Sequence, residues 1–244
     1  MINEQEHRVF VQHVLDCYPN EAVALVIDGK VIPVKNIAEN AANEFKVAIE
    51  DYADAYTENR LNAVLHSHNA LTQLPRLDPR TPSGKDLACW ISIKVPFGIV
   101  ATNGQEVSDI LWLNEDVIEP LEGREFIHGK HDCYSIWRDY YRLNHNITMR
   151  NYPRDYCWWL NEQNLYSDEA IASEGFIEVS KNDIQIGDVV LMRVVSPVLN
   201  HCAVVTGTNE IIHQLSHRLS GYDSLAKWGK YIEKCYRHES KVNK

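Results

Sequence analysis

No run of lysine and arginine occurs anywhere in this chain. Its 24 basic residues are outnumbered by 34 acidic ones, for a formal net charge of −10. A phosphate-tracking surface is thereby excluded, and nucleic acid is not an expected partner. The same sign disfavours adhesion to an anionic membrane or wall polymer. No apolar run reaches the length of a bilayer-spanning helix, so membrane insertion is not expected. The opening MINEQEHRVFVQHVL is charged and lacks the apolar core of a signal peptide. Synthesis in the cytoplasm without an export signal is the expectation that follows. CxxC pairs are missing too: Cys17, Cys89, Cys133, Cys157, Cys202 and Cys235 are scattered. In a reducing compartment they are expected as free, mostly buried thiols, with one open to catalytic use. Repeats and low-complexity segments are absent. What is there is an ordinary globular composition, 45% hydrophobic and 24% charged, over 244 residues, which leaves room for two modest domains.

Residues 3–17 carry Val9, Phe10, His13, Val14 and Cys17 near helical spacing, which predicts an amphipathic helix. EAVALVIDGKVIPVKN predicts two strands around Asp28-Gly29-Lys30. RLNAVLHSHNA predicts a strand, and the Pro-rich LTQLPRLDPRTPSG a loop. A helix begins at Ser83, and FGIVATNG and VSDILWLN predict strands joined at Asn103-Gly104. This half is mixed α/β. A boundary falls in NEDVIEPLEGREF, dividing the chain into residues 1–117 and 118–244. Beyond it, DCYSIWRDYYRLNH is helical, and DVVLMRVV, HCAVVTG and EIIHQL are strand-like. A helix followed by an antiparallel sheet gives α+β.

Two side-chain constellations carry chemistry. The first is His66-x-His68. On a strand, residues two apart face the same way, so both imidazoles can meet one ion. A catalytic zinc site takes three protein ligands and a water. Asp86, at the start of the next helix, is a candidate third ligand, and Glu21, on a neighbouring strand, a candidate general base. The alternative is structural. His-x-His occurs by chance at strand ends, and Ser83-x-x-Asp86 is also a helix N-cap pattern.

Glu21, His66-Ser67-His68 and Ser83-x-x-Asp86, in that order, resemble the JAMM (MPN, Mov34) metalloprotease motif. The resemblance implies Zn2+ bound by His66, His68 and Asp86. It makes Glu21 the acid/base and gives Ser83 a part in holding the tetrahedral intermediate. The 14 residues between His68 and Ser83 are about twice the family's usual spacing, with the surplus in the Pro-rich loop.

The second constellation is Cys133, His201 and His213. Cys133 stands at a helix N-terminus, where the macrodipole favours a thiolate. If Gly207-Thr208-Asn209 is the loop of a hairpin, His201 and His213 lie diagonally on one face. His201 is then the base and His213 the group that orients it. A one-residue change in that loop would put them on opposite faces. Cys202 is a rival nucleophile, but beside His201 on a strand it faces the other way and reads as a core thiol. His128, His131 and Cys133 form an alternative zinc cluster that lacks a fourth ligand. Trp158 and Trp159 read as core or as a cleft wall.

HDCYS, GDVVLM, NHCAVV and IIHQL resemble the NlpC/P60 cysteine peptidases. The resemblance implies a papain-like core and cell-wall peptides as substrate. It also places Asp132 and Ser135 where that family contacts substrate. A JAMM-like domain followed by an NlpC/P60-like domain resembles the tail-tip assembly proteins of lambda-like siphophages, and PLEGREFIHGKHDCYS is close to their junction. That implies a two-domain hydrolase, part metallopeptidase and part thiol protease. It would act in tail-tip assembly and on peptidoglycan as the phage genome enters the cell. Its partners would be peptidoglycan peptides and other tail-tip proteins. Its location would be the host cytoplasm during assembly and then the virion tail tip. Two alternatives stand beside this: a structural tail-assembly module with one or both sites unused, and a bacterial wall-remodelling peptidase.

Overall fold

The computed structural model describes residues 2–70, 77–161 and 163–241. The chain folds as two compact units, Met1–Pro82 with Cys89–Val117, and Ser83–Ala88 with Ile118–Lys244.

The first unit opens with helix α1 (Glu4–Cys17). Asn3 caps it, accepting a hydrogen bond from the Glu6 amide at 2.9 Å, and Glu4 and Glu6 complement the helix dipole. Strands β1 (Val23–Ile27) and β2 (Lys30–Val34) form a hairpin. Both turn residues, Asp28 and Gly29, adopt positive φ, the conformation a two-residue turn between twisted strands requires. Strand β3 (Leu61–Asn69) pairs antiparallel with β1, parallel with β4 (Phe97–Thr102), and β4 pairs antiparallel with β5 (Leu111–Leu113). The sheet order is β2-β1-β3-β4-β5. Ala63 and Leu65 of β3 join the core built on Phe10 and Val14 of α1. Strand alternation therefore turns Val64, His66 and His68 to the other face, where Phe45 lies 4.6 Å from His66 between ring centroids.

Two features depart from the sequence expectation. Helix α2 (Ile49–Thr57) is not foreseen: Ala48 supplies no side-chain cap and only Ala55 is buried, so the chain carries little periodic signal there. The strand expected over VSDILWLN shrinks to Leu111–Leu113, preceded by an isolated bridge from Thr102 to Val107. Of the Pro-rich loop, residues 71–76 lie outside the described ones; past them, Arg80 clasps the Asp78 carboxylate at 2.6 Å. Helix α3 (Gly84–Ile93) follows.

The second unit places helix α4 (Cys133–His145) against one face of a six-stranded antiparallel sheet. In chain order the strands are β6 (Phe176–Val179), β7 (Val189–Met192), β8 (His201–Gly207), β9 (Glu210–His213), β10 (Gly221–Ser224) and β11 (Ile232–His238). They are ordered β10-β9-β8-β7-β11-β6. Cys202 and Val204 of β8 face α4, in a core with Trp137 and Tyr141. Helix α5 (Asp168–Ser173) precedes β6, and Ala203 and Val205 face the opposite core, with Trp228 of the short helix α6 (Leu225–Trp228). Among the described residues, no helix is long and apolar enough to cross a membrane.

Candidate functional sites

Asp132 caps α4 and so places Cys133 at its first turn. Its carboxylate accepts from the Gly129 and Ser135 amides at 2.9 Å each and from the Ser135 hydroxyl at 3.0 Å. Arg154, 2% exposed, completes the set with Nε at 2.8 Å and Nη2 at 3.1 Å. Burial pushes the Asp132 carboxyl up, but the charges of Arg154 and His128 and these hydrogen bonds outweigh it. They hold it well below the usual carboxylate range. The helix that bears the cysteine is thus pinned by a saturated buried ion pair.

The hairpin of β8 and β9 supplies the imidazoles. Its register pairs Val204 with Ile212 and Val205 with Ile211, and an irregularity before Gly207 lets Gly207 face Glu210. Continued toward the open end, this register sets His213 opposite Ala203, so His201 is its diagonal neighbour on one face. His201 Nε2 lies 3.0 Å from His213 Nδ1. Trp228 packs edge-on against His213, ring centroids 4.9 Å apart, and both histidines are buried. The Cys133 thiol is held well below its ordinary value. The hydrogen bond with the Cys202 thiol contributes most. Burial opposes it, and the hydrogen bond and charge of His201 add to it.

Cys202 is a buried core thiol on the α4 face of β8, and it is also a neighbour of the nucleophile. Tyr166 lies between them, its hydroxyl 3.4 Å from each sulfur. Burial raises the Tyr166 hydroxyl well above its ordinary value, so it stays protonated and can donate. Burial likewise pushes the Cys202 thiol up. A cavity of about 190 Å³ opens on Cys133 and His201, walled by Tyr156, Trp158, Trp159 and Tyr166. Trp158 serves both core and wall; Trp159 is only partly buried. The alternative trio of His128, His131 and Cys133 turns to separate partners. His128 lies 3.7 Å from Asp132 and His131 3.4 Å from Glu119. Burial lowers the basicity of both, His131 to about 4.

In β3, His66 Nε2 and His68 Nε2 approach to 3.1 Å, both buried. His68 Nδ1 lies 3.0 Å from the Pro79 carbonyl oxygen. That oxygen can only accept, so it fixes the Nδ1–H tautomer and leaves the Nε2 lone pair for a ligand. The β1–β3 register pairs Val23 with His66. Extended by two residues, it brings the buried Glu21 opposite His68 on the same face. Ser83 and Asp86 form a reciprocal cap at the start of α3. The Ser83 amide and hydroxyl donate to Asp86 Oδ2 at 2.8 Å each, and the Asp86 amide donates to Ser83 Oγ at 3.2 Å. Asp86 thus caps α3 with Ser83, while the buried imidazoles of His66 and His68 share one face of β3. Two nitrogens bound tetrahedrally at a zinc–nitrogen distance of about 2.0–2.1 Å stand roughly 3.3 Å apart. The 3.1 Å imidazole pair therefore fits zinc.

Sequence reasoning missed three contributors: Arg154, Tyr166, and Cys202 as neighbour to the nucleophile. Arg154 lies 22 residues from Asp132 and Tyr166 33 residues from Cys133, so only the fold brings them in.

Residues 123–239 match the NlpC/P60 family. The chain is 32% identical over 193 residues to tail tip assembly protein K of Escherichia phage lambda, covering 78% of this chain and 88% of that protein. It is 30% identical over 210 residues to tail tip assembly protein K of Escherichia phage N15, covering 83% and 81%. Among solved structures, an NlpC/P60 family protein from Bacillus cereus aligns at 14% identity with a TM-score of 0.33, covering 98% of this chain and 67% of its own.

Proposed function

The chain belongs to the tail tip assembly protein K family, with an NlpC/P60 domain in its second half, and from that premise we propose that it helps build a phage tail tip and cleaves peptidoglycan peptides through Cys133. The observation that carries the reading is the relay from Cys133 through His201 to His213, opening on an aromatic-walled cavity. The Cys133 thiol gives its proton to His201, and the resulting thiolate attacks the scissile carbonyl carbon. Collapse of the tetrahedral intermediate breaks the C–N bond, with His201 returning the proton to the leaving amine. Water then hydrolyses the thioester with His201 as base, freeing the acid and restoring the thiol. Muropeptide digestion by the full chain tests this. Cys133→Ser and His201→Ala are each expected to abolish cleavage with the fold retained. Digestion that survives Cys133→Ser would overturn the assignment.

A second activity is favoured by the buried imidazole pair of His66 and His68. On this reading the chain's first half is a JAMM-like metallopeptidase, and His66, His68 and Asp86 hold Zn2+. Bound there, zinc would lower the pKa of a ligated water and polarise a carbonyl. Glu21, on the histidine face, accepts the proton of the attacking water and passes it to the leaving nitrogen. Ser83, whose hydroxyl donates to Asp86, helps hold the tetrahedral intermediate. Two alternatives, a structural module with unused sites and a wall-remodelling enzyme of bacteria, predict no turnover and no phage phenotype respectively. Digestion assays and deletion from a phage separate them.

A further inference from the structure

His213 is the last residue of the relay named so far, yet its outer nitrogen does not face apolar core. His213 Nε2 lies 3.4 Å from Asp223 Oδ2. Asp223 sits on β10, whose register with β9 sets Gly221 opposite His213 and Asp223 opposite Ile211. Its carboxylate is held in place by the Trp228 indole N–H at 3.0 Å and by Lys227 Nζ at 3.0 Å, with Arg218 at 3.5 Å. Burial pushes this carboxyl up, but the hydrogen bonds from Lys227 and Trp228 bring it to about 2, so it stays ionised. His213 is neutral over the same range, lowered to about 3 by burial first and by the His201 charge second. The groups facing His213 are thus His201 from β8, Asp223 from β10, Trp228 from α6, and Arg218 from the segment before β10.

Donor and acceptor arithmetic then leaves one arrangement. A neutral imidazole has one N–H and one lone pair. An ionised carboxylate 3.4 Å away can only accept, so the His213 proton belongs on Nε2. His213 Nδ1 is then an acceptor, and the 3.0 Å contact is a hydrogen bond donated by His201 Nε2–H. That leaves His201 Nδ1 with the lone pair. Nδ1 is the nitrogen not committed to His213, and it is the one available to the thiol of Cys133. Were His213 protonated on Nδ1, the pattern would invert along both rings. His201 would then present an N–H, not a base, to the nucleophile, and a lone pair on His213 would face the Asp223 carboxylate. After proton transfer the same tautomer still serves, because the His201 imidazolium keeps Nε2–H pointed at the His213 lone pair.

We propose that Asp223 is a positioning residue which sets the tautomer of His213 and, through it, which nitrogen of His201 acts as the base. The proposal rests on reading Cys133 as the nucleophile, but its primary test does not. Long-range ¹⁵N–¹H correlation spectra of the full chain, labelled in histidine, report the tautomer of His213 directly. The wild-type protein is expected to show protonated Nε2. Asp223→Ala is expected to move the proton toward Nδ1. Asp223→Asn retains a side-chain oxygen acceptor and is expected to restore much of the wild-type pattern. Lys230→Met alters the turn after α6, where Lys230 Nζ lies 4.8 Å from the centroid of the Tyr231 ring, and should leave the tautomer alone, which controls for local loosening of α6. In muropeptide digestion, losing a carboxylate that directly orients the base costs about 10⁴-fold. One imidazole further away, a fall in kcat/KM on the order of 10- to 100-fold is expected for Asp223→Ala, with Asp223→Asn in between. A wild-type His213 protonated on Nδ1, or an Asp223→Ala protein with an unchanged tautomer, overturns the proposal. If the tautomer shifts but no variant and no wild-type protein digests muropeptides, the peptidase reading fails and the assignment of Asp223 to His213 stands.

Discussion

Cys133 differs from the other cysteines in what surrounds its sulfur. Cys17, Cys157, Cys202 and Cys235 are all pushed up, in each case first by burial. Cys133 is brought down, by the Cys202 hydrogen bond first and by His201 against the push of burial. Reactivity toward an alkylating agent follows thiolate fraction and access, and Cys133 lines an open cavity. At limiting iodoacetamide and neutral pH, Cys133 is expected to be labelled first, read by peptide mass spectrometry. The sign of the pH dependence follows from the lowered value. Labelling of Cys133 should stay fast well below the ordinary thiol range and slow only as pH falls through the depressed value. The four raised cysteines should label appreciably only at alkaline pH. Preferential labelling of Cys202 would mean that the two thiols have exchanged roles. His201→Ala should slow the labelling of Cys133, since one of the contributions that hold the thiol down is then gone.

Helix α4 presents its first residue to the cavity because its cap is locked. Asp132 and Arg154 are both nearly fully buried, and they meet at 2.8 Å. Breaking a buried pair by removing one partner leaves an uncompensated charge and costs about 3–5 kcal/mol. Arg154→Met is therefore expected to destabilise the second unit by about that much, measured by urea denaturation near pH 7. The pair also links stability to pH. The Asp132 carboxyl has its folded-state value depressed, so its contribution is fully present above the unfolded carboxyl value of about 3.9. It is lost as pH falls through the folded value. The stability gap between wild type and Asp132→Asn should accordingly be widest near neutrality and narrow in acid. A gap that stays constant from pH 7 to pH 2 would mean that Asp132 acts as a neutral cap. The strand elements show the same dependence on local geometry. At Gly98 of β4, an added Cβ would meet Leu65 Cδ2 at 2.5 Å and Ile110 Cγ2 at 2.8 Å, so any larger residue there forces these side chains to shift.

The two units carry separate cores, and the two sites draw on different donors. One offers imidazole and carboxylate, and the other offers thiol and imidazole. Purified full-length protein is expected to hold about one zinc per chain by atomic emission. The His66→Ala/His68→Ala protein is expected to lose it, because a catalytic zinc keeps only three protein ligands. Glu21→Gln should retain the metal while losing any turnover in the first unit; loss of zinc in that variant would make Glu21 a ligand. Chelator should leave Cys133-dependent digestion unchanged, since no residue of that relay belongs to the zinc set. Full zinc retention by the double variant would place the metal elsewhere.

Periodic elements and local spacings were legible in the order of residues alone. His66 and His68 share a face because strand periodicity is two, and Cys133 opens a helix because an Asp-capped, amphipathic run begins there. Helix α2 stayed hidden, because with no side-chain cap and one buried residue it carries almost no local signal. Whatever depends on register or on long sequence separation was left to packing. The hairpin irregularity between Val205 and Gly207 determines which face His201 and His213 share, and a slip of one residue would have parted them. Arg154, Tyr166 and Asp223 reach their partners through packing of segments that nothing in local periodicity brings together. The difference lies in the range of the forces. Propensity and alternation act over a few residues. Burial and hydrogen-bond satisfaction act on whatever the closed chain places side by side, and there the charges and tautomers of the site are set.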